Sequence, residues 1–237
     1  MIKDNCNSTL YDKVKRKMFY PKTVAEIGVS NPSTSNVYKF IEDNVKTILV
    51  EPNPKPIKQI KDRWGTKPNV TLYEVAICDF DGTVELCERA SSTFISSLPS
   101  SPALVNDSCN IADSEKFTAQ AIKFSTIDNG DIDLISIDVE GSEWFVIKNM
   151  ISRPSIISIE THGGLYINPY AKELTTWMVD NGYILWFKDK SDSVYILKDS
   201  INITFLDSIR LYLTDLLLIL KSLKKQISKK LKQARLK

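Results

Sequence analysis

Histidine is almost missing from this chain, with one in 237 residues. Four cysteines stand at 6, 78, 87 and 109, and none forms a Cys-x-x-Cys pair. So few soft ligands, with no paired spacing, argue against a structural zinc site. The cysteines read instead as reduced thiols of a cytosolic protein, with Cys78 and Cys87 packed in or beside strands. There are only eight glycines. No Walker loop occurs, and the spaced glycines that bring a backbone against a pyrophosphate are absent, which argues against a nucleoside triphosphate or dinucleotide site. No uncharged apolar run reaches the roughly 18 residues of a spanning helix. The nearest, Leu206 to Leu220, is broken by Asp207, Arg210 and Asp215. No basic and apolar leader opens the sequence, so no secretory signal is expected and the protein is placed in the cytoplasm.

What is present fits one generous domain with an appendage. Hydrophobic residues make up 43% of the chain, enough for a real core. Charge is unevenly spread. Residues 221–237 hold eight basic side chains and no acid, so a formal total of +2 leaves the rest of the chain at −6. Short apolar runs alternate with helical patterns: strands at 23–27, 46–50, 70–77, 121–125, a run ending at Asp138, and 156–159; helices after Asn31-Pro32, at 57–64, from Trp144 to about Met150, and at 172–181. Asp81-Gly82 marks a turn into a strand at 83–87. Strands at 183–188 and 194–197 close the body as an antiparallel pair. This alternation predicts an α/β fold with a mostly parallel, doubly wound sheet and a closing antiparallel hairpin. Residues 1–22 form an N-terminal helical segment and 23–200 the main domain. The stretch 91–118, rich in serine, reads as a long loop that is either functional or disordered. Trp177 and Trp186 read as core.

The richest segment is Asp133-Leu134-Ile135-Ser136-Ile137-Asp138-Val139-Glu140-Gly141-Ser142-Glu143. A buried strand ends there in two carboxylates and a glycine, and ligands in open α/β sheets sit outside the carboxyl ends of strands. A second turn, Glu26-Ile27-Gly28-Val29-Ser30-Asn31, follows the first strand with a single glycine. Glu51 ends the next strand, 23 residues after Gly28, where an acid accepts hydrogen bonds from ribose hydroxyls. A ribose-binding acid without a pyrophosphate loop points to S-adenosylmethionine. Its methionine carboxylate has the amides at the first helix's start for partners.

These segments resemble the FkbM family of S-adenosylmethionine-dependent methyltransferases. The similarity runs from about Thr23 to Leu197. Asp133 to Glu143 is similar to the family's Ile-Asp-x-Glu-Gly-x-Glu signature. Ala76-Ile77 with Asp81-Gly82 resembles its third strand and turn, Thr126-Ile127-Asp128 its threonine-leucine-aspartate step, and Glu160-Thr161-His162 its strand-end glutamate and histidine. Glu26 stands where the family has aspartate, and the second glycine of the first motif is missing. The resemblance implies a Rossmann-like class I methyltransferase fold and O-methylation of a hydroxyl, often on a sugar or glycan-like acceptor. The cofactor residues expected are Glu26, Gly28, Ser30, Glu51, Asn53, Ala76, Ile77, Asp138, Val139 and Glu140.

Methyl transfer from a sulfonium is an in-line displacement, so much of the catalysis is alignment. A neutral hydroxyl must also lose its proton. His162, just past a strand end and followed by Gly163-Gly164, has an unperturbed pKa suited to that task. It is the expected base, with Asp138 beside the reacting centre; a loop histidine bonded locally is the plainer reading. Glu143 reads best as an acid stabilising the helix that it opens. Asp138, Glu140 and Glu160 carry the oxygens a divalent cation needs, yet nothing in the sequence requires one and no metal is expected.

From Leu206 the pattern changes. Leu206, Leu213, Leu220, Ile227 and Ala234 recur every seven residues, with Ile209, Leu216 and Leu223 three positions on. That is a heptad seam on a basic amphipathic helix over 206–237, about 48 Å long. It predicts a homodimer through 206–223, with 221–237 resting peripherally on an anionic membrane as a second use. Two other functions compete with an O-methyltransferase: a non-catalytic nucleoside-binding scaffold assembled through this tail, and a nucleic-acid methyltransferase. The mildly acidic body lacks the broad basic face that nucleic acid needs.

Overall fold

The structure, a computed structural model, describes residues 9–89, 92–98, 100–106, 115–163, 166–189 and 191–235. Cys6, Cys109, Gly164 and the first eight residues of the expected N-terminal segment lie outside the described residues.

Seven strands form the main sheet: β1 (Thr23–Ile27), β2 (Lys46–Val50), β3 (Val70–Tyr73), β8 (Leu134–Ile137), β9 (Ile156–Glu160), β12 (Tyr183–Lys188) and β13 (Asp192–Leu197). Their order across the sheet is β12-β13-β9-β8-β1-β2-β3. The five strands from β3 to β9 are parallel, and β13 lies antiparallel to β9 and β12. This is the class I methyltransferase arrangement, with its closing hairpin. The order reverses between β1 and β8, so the crevice above those two strands is where a ligand belongs.

Alternation along each strand builds two cores. Ala25, Ile27, Ile48, Val50, Ile135, Ile137, Ile157 and Ile159 face one side, under α5 (Glu143–Ile147) and α6 (Ala171–Asp180). Val24, Leu49, Leu134, Ile156, Val194 and Ile196 face the other, under α1 (Thr9–Arg16), α2 (Tyr38–Glu42) and α3 (Pro54–Trp64). Both faces are therefore covered, which is why the central strands are continuous apolar runs. Asn53 caps α3 by accepting from the Lys55 amide, and Pro54 occupies its first turn. Trp177 is half-buried against the first core and Trp186 is buried in the second.

Three expectations need correction. The strand expected at 70–77 is split: β3 stays in the main sheet, while β4 (Ala76–Ile77) joins a second sheet ordered β4-β7-β5-β6. The other members are β5 (Gly82–Arg89), β6 (Ser92–Ile95) and β7 (Glu115–Ile122). Stretch 91–118 is therefore not one loop. It contains β6, the short helix α4 (Pro102–Asn106) and the start of β7. The strand expected at 121–125 ends instead at Ile122, and a 3-10 turn follows at Phe124–Thr126 with Phe124 buried. A smaller adjustment concerns Asn31-Pro32, which open a 3-10 turn at Pro32–Thr34 before α2 begins at Tyr38.

Helix α7 (Phe205–Arg235) continues the chain beyond the sheet. Thr204 and Asp207 cap its start, and Lys17 bonds Asp207 at 2.5 Å. Its first half lies against edge strand β12, where Lys188 pairs with Asp215 at 2.6 Å. Leu211, Thr214, Asp215 and Leu218 form the partly buried stripe. The heptad residues Leu206, Leu213, Leu216 and Leu220 remain 44–61% exposed. The body thus buries a stripe beside the seam, not the seam itself. No helix among the described residues is long and apolar enough to cross a membrane.

Candidate active site

Above the carboxyl ends of β1, β2 and β8 lies a cavity of about 430 Å³, within the range of small-molecule sites. The main sheet supplies its floor through the turn after β1 and the ends of β2 and β8. The second sheet supplies its wall through Ala76, Ile77, Leu86, Thr93, Phe94 and Ile95.

The turn after β1 is set by two close approaches. Gly28 has φ +84°, and a Cβ there would stand 1.8 Å from the carbonyl oxygen of Asp138. Only glycine lets the β1 and β8 ends come together in this way. The Gly28 amide donates to Val50 O and the Asp138 amide to Ile27 O, both at 2.9 Å, so three strand ends are tied at one point. Ser30 continues the turn at φ +46°.

Glu51 anchors this turn. Its Oε2 accepts from the Val29 and Ser30 amides, each at 3.0 Å, and its Oε1 accepts from the Asn53 amide at 2.9 Å. Burial pushes its carboxyl up, against the opposing pull of those amides. A carboxylate has about four acceptor positions, so these bonds leave one free on Oε1. Glu26 is also buried. It accepts from Ser35 Oγ at 2.5 Å and from the Asn36 amide at 2.8 Å, and burial carries its carboxyl up to about 7.

Around β8 and β9 the acids crowd. Oxygens of Asp138, Glu143 and Glu160 all lie within 4.8 Å of one another. Asp138 opens to solvent through the cavity, whereas Glu143 and Glu160 are buried. Though open to the cavity, the Asp138 carboxyl lies deep in the crevice, and that burial, then the charges of Asp192, Glu140, Glu143 and Glu26, raises it well above the usual range. Glu143 is held by the Val139 and Gly141 amides, at 3.2 and 3.1 Å, and by Asn168 Nδ2; burial still raises it to about 7. It therefore steadies the turn before α5 as much as the helix itself.

The structure brings Glu26, Gly28, Ser30 and Glu51 to the same cavity as Ala76 and Ile77. Asp138, Val139 and Glu140 complete that wall. Asn53 stands behind it, donating from Nδ2 to Thr93 Oγ1 and so fixing β6 over the cavity. His162 is not among the lining residues. It sits on β10 (His162–Gly163), which pairs with β11 (Tyr166–Ile167), and its Nδ1 is 2.9 Å from Thr161 Oγ1. Burial and then Lys188 lower its pKa, so it is neutral at neutral pH. Asp128, in the threonine-leucine-aspartate step, is structural. Its oxygens accept from the amides of Gly130, Ile151 and Ser152 and from the Ser152 hydroxyl. Missed from the sequence were Thr93, Phe94 and Ile95, whose strand was hidden in a serine-rich stretch, and Tyr166 and Asn168 beside the acids.

A mostly parallel sheet of this order, with its closing antiparallel hairpin, a glycine turn and a buried acid at the crevice, defines a class I methyltransferase. The chain belongs to the FkbM methyltransferase family: the family's sequence model, described as Methyltransferase FkbM domain, matches residues 23–185. It is accordingly an S-adenosylmethionine-dependent methyltransferase. A comparison with curated proteins finds no match. Among solved structures, a provisionally assigned caffeoyl-CoA O-methyltransferase from Staphylococcus aureus is similar at 15% identity and TM-score 0.47, over 80% of this chain and 82% of that one. The S-adenosylhomocysteine-bound methyltransferase PaMTH1 from Podospora anserina is 14% identical with TM-score 0.42, over 80% and 78%. A ribosomal protein L11 methylase from Lactobacillus delbrueckii subsp. bulgaricus is 9% identical with TM-score 0.41, over 79% and 75%. Such distant likenesses carry no functional argument.

The cavity suits the cofactor on its own terms. A Cβ at Gly28 would strike the Asp138 carbonyl and force apart the turn and strand end that floor the cavity, and a buried carboxylate with a spare acceptor position waits at the end of β2.

Proposed function

We propose that this protein methylates a hydroxyl oxygen of a sugar or glycan-like acceptor, with the cofactor in the cavity above β1, β2 and β8. The observation that carries the cofactor's placement is Glu51, buried at the end of β2, lining the cavity and bonded to the turn after Gly28; the hydroxyl acceptor is what the family implies. Its free Oε1 position would accept from a ribose hydroxyl. Ala76 and Ile77 would flank the adenine, while Glu26, Gly28 and Ser30 would line the methionine end. Asp138, with Val139 and Glu140, would stand where the sulfonium meets the acceptor.

S-adenosylmethionine, held by Glu51 and the Gly28 turn, would supply an electrophilic methyl carbon on sulfur; an acceptor oxygen would take that methyl group, and the bonding pair would stay with sulfur in S-adenosylhomocysteine. The hydroxyl proton passes to a base, which we assign to the neutral His162 at Nε2. That atom is buried with no partner in the structure, so it has capacity to accept.

Glu51→Ala tests the cofactor reading. It removes a charge-assisted bond to ribose and loosens the turn that Glu51 holds. Affinity for S-adenosylhomocysteine, measured by calorimetry, should fall by an amount on the order of 2–4 kcal/mol. Unchanged affinity would remove Glu51 from the site.

The exposed seam of α7 fits a second copy of the chain. Pairing along Leu206, Leu213, Leu216 and Leu220 would bury leucines that the body leaves in water. The basic residues beyond would then be free to meet an anionic membrane surface. Leu213→Glu combined with Leu220→Glu changes exposed positions only, so the fold should persist while a dimer becomes a monomer by light scattering. A wild-type chain that is monomeric at tens of micromolar would defeat the dimer.

A further inference from the structure

The carboxylates beside the cavity are arranged for more than orienting an acceptor. Ile137 and Ile159 are register partners on neighbouring parallel strands, so Asp138 and Glu160 leave the sheet side by side. Glu143 returns to them from the first turn of α5. Three acids of like charge thus converge from three elements, with oxygens within 4.8 Å. Ligand oxygens on opposite sides of a bound divalent cation stand about 4–5 Å apart.

Two further observations point to something missing between them. Glu160 is only 8% exposed, and its Oε2 has no hydrogen-bond partner. Tyr166 is only 2% exposed, and its hydroxyl is likewise without a partner. That hydroxyl reaches the turn between Asp138 and Glu143, where a Cβ on Gly141 would stand 3.3 Å from it. Buried polar atoms are almost always satisfied, so two orphans around one acidic cluster indicate a ligand.

The chemistry of that ligand follows from the donors. Three carboxyl groups stand together there, two of them buried, and so crowded a set needs protons or a cation to offset its charge. An all-oxygen set without cysteine or histidine suits a hard cation such as magnesium, manganese or calcium, not zinc or copper. Asp138, open to the cavity, provides an entry path and leaves coordination positions for water or another oxygen.

We propose that Asp138, Glu143 and Glu160, with the Tyr166 hydroxyl beside them, bind one hard divalent cation next to the cofactor cavity. The site rests on these residues alone and does not depend on the identity of the methyl acceptor. Its test needs no turnover. The full-length chain, freed of metal with a chelator, is titrated with manganese at neutral pH, and free manganese is followed by electron paramagnetic resonance. One saturable site is expected, displaced by excess magnesium or calcium. Glu160→Gln should weaken it at least tenfold while S-adenosylhomocysteine affinity, measured separately, persists. If that variant does not fold, the wild-type chain still decides the matter through a manganese-dependent rise in melting temperature. The absence of saturable binding by the wild type at millimolar manganese would overturn the proposal. So would wild-type binding that a folded Glu160→Gln leaves unchanged.

Discussion

Gly28→Ala should damage both the fold and the cofactor site. The new methyl group would be placed 1.8 Å from the Asp138 carbonyl oxygen, on a residue already at φ +84°. Adopting a left-handed conformation costs about 1–2 kcal/mol for a non-glycine residue, and overpacking about 1–3 kcal/mol more, which together is on the order of 2–5 kcal/mol. For a chain of this size that corresponds to a melting temperature lower by roughly 5–15 °C. The collision is with backbone, which has no rotamer to change. Relief requires the β1 turn to withdraw from β8, and this pulls Val29 and Ser30 away from Glu51. S-adenosylhomocysteine affinity should therefore fall with stability. A variant that melts and binds like the wild type would show that the turn is free to move, contrary to this description of the β1–β8 contact.

His162→Ala and Asp138→Asn should each lower turnover by roughly 100-fold or more with a hydroxyl acceptor present. The two reach that result differently. His162→Ala removes the proposed proton acceptor, so cofactor affinity should be near normal and the loss should fall on kcat. Asp138→Asn changes the charge that faces the cavity, and its loss should extend to the binding of acceptor. His162 lies off the cavity wall, so this pair discriminates sharply. Near-normal turnover in His162→Ala, alongside a strong loss in Asp138→Asn, would move proton removal to the carboxylates and take His162 out of the mechanism.

Much of the main sheet was legible because its strands carry unambiguous local signals. The strands 23–27, 46–50 and 183–188 are apolar runs bounded by turn residues, and the structure places them with those bounds. Glu51 and Asp138 could be located because a strand end is a sequence position as well as a place in space. The second sheet was harder to read. Strand β7 runs through Glu115, Lys116, Thr118 and Gln120, with only alternate residues facing inward, so its apolar content is low. Strand β6 is four residues long in a serine-rich stretch. Strand β3 ends early because the chain turns at Glu74-Val75 into a different sheet, and nothing in an apolar run announces that change. The acid cluster is wholly non-local. Glu143 looked like a helix-opening acid, and only the fold puts it against Glu160 and Asn168. On α7 the seven-residue period was visible, but which stripe meets the body depends on β12, which lies elsewhere in the chain.

The measurement that most directly tests the central claim is a crystal structure of the chain with S-adenosylhomocysteine. The account predicts ribose within hydrogen-bonding distance of Glu51, adenine beside Ala76 and Ile77, the homocysteine end over the Gly28 turn, and sulfur facing Asp138. Cofactor bound away from the crevice above β1, β2 and β8, or bound there with its ribose turned from Glu51, would contradict it.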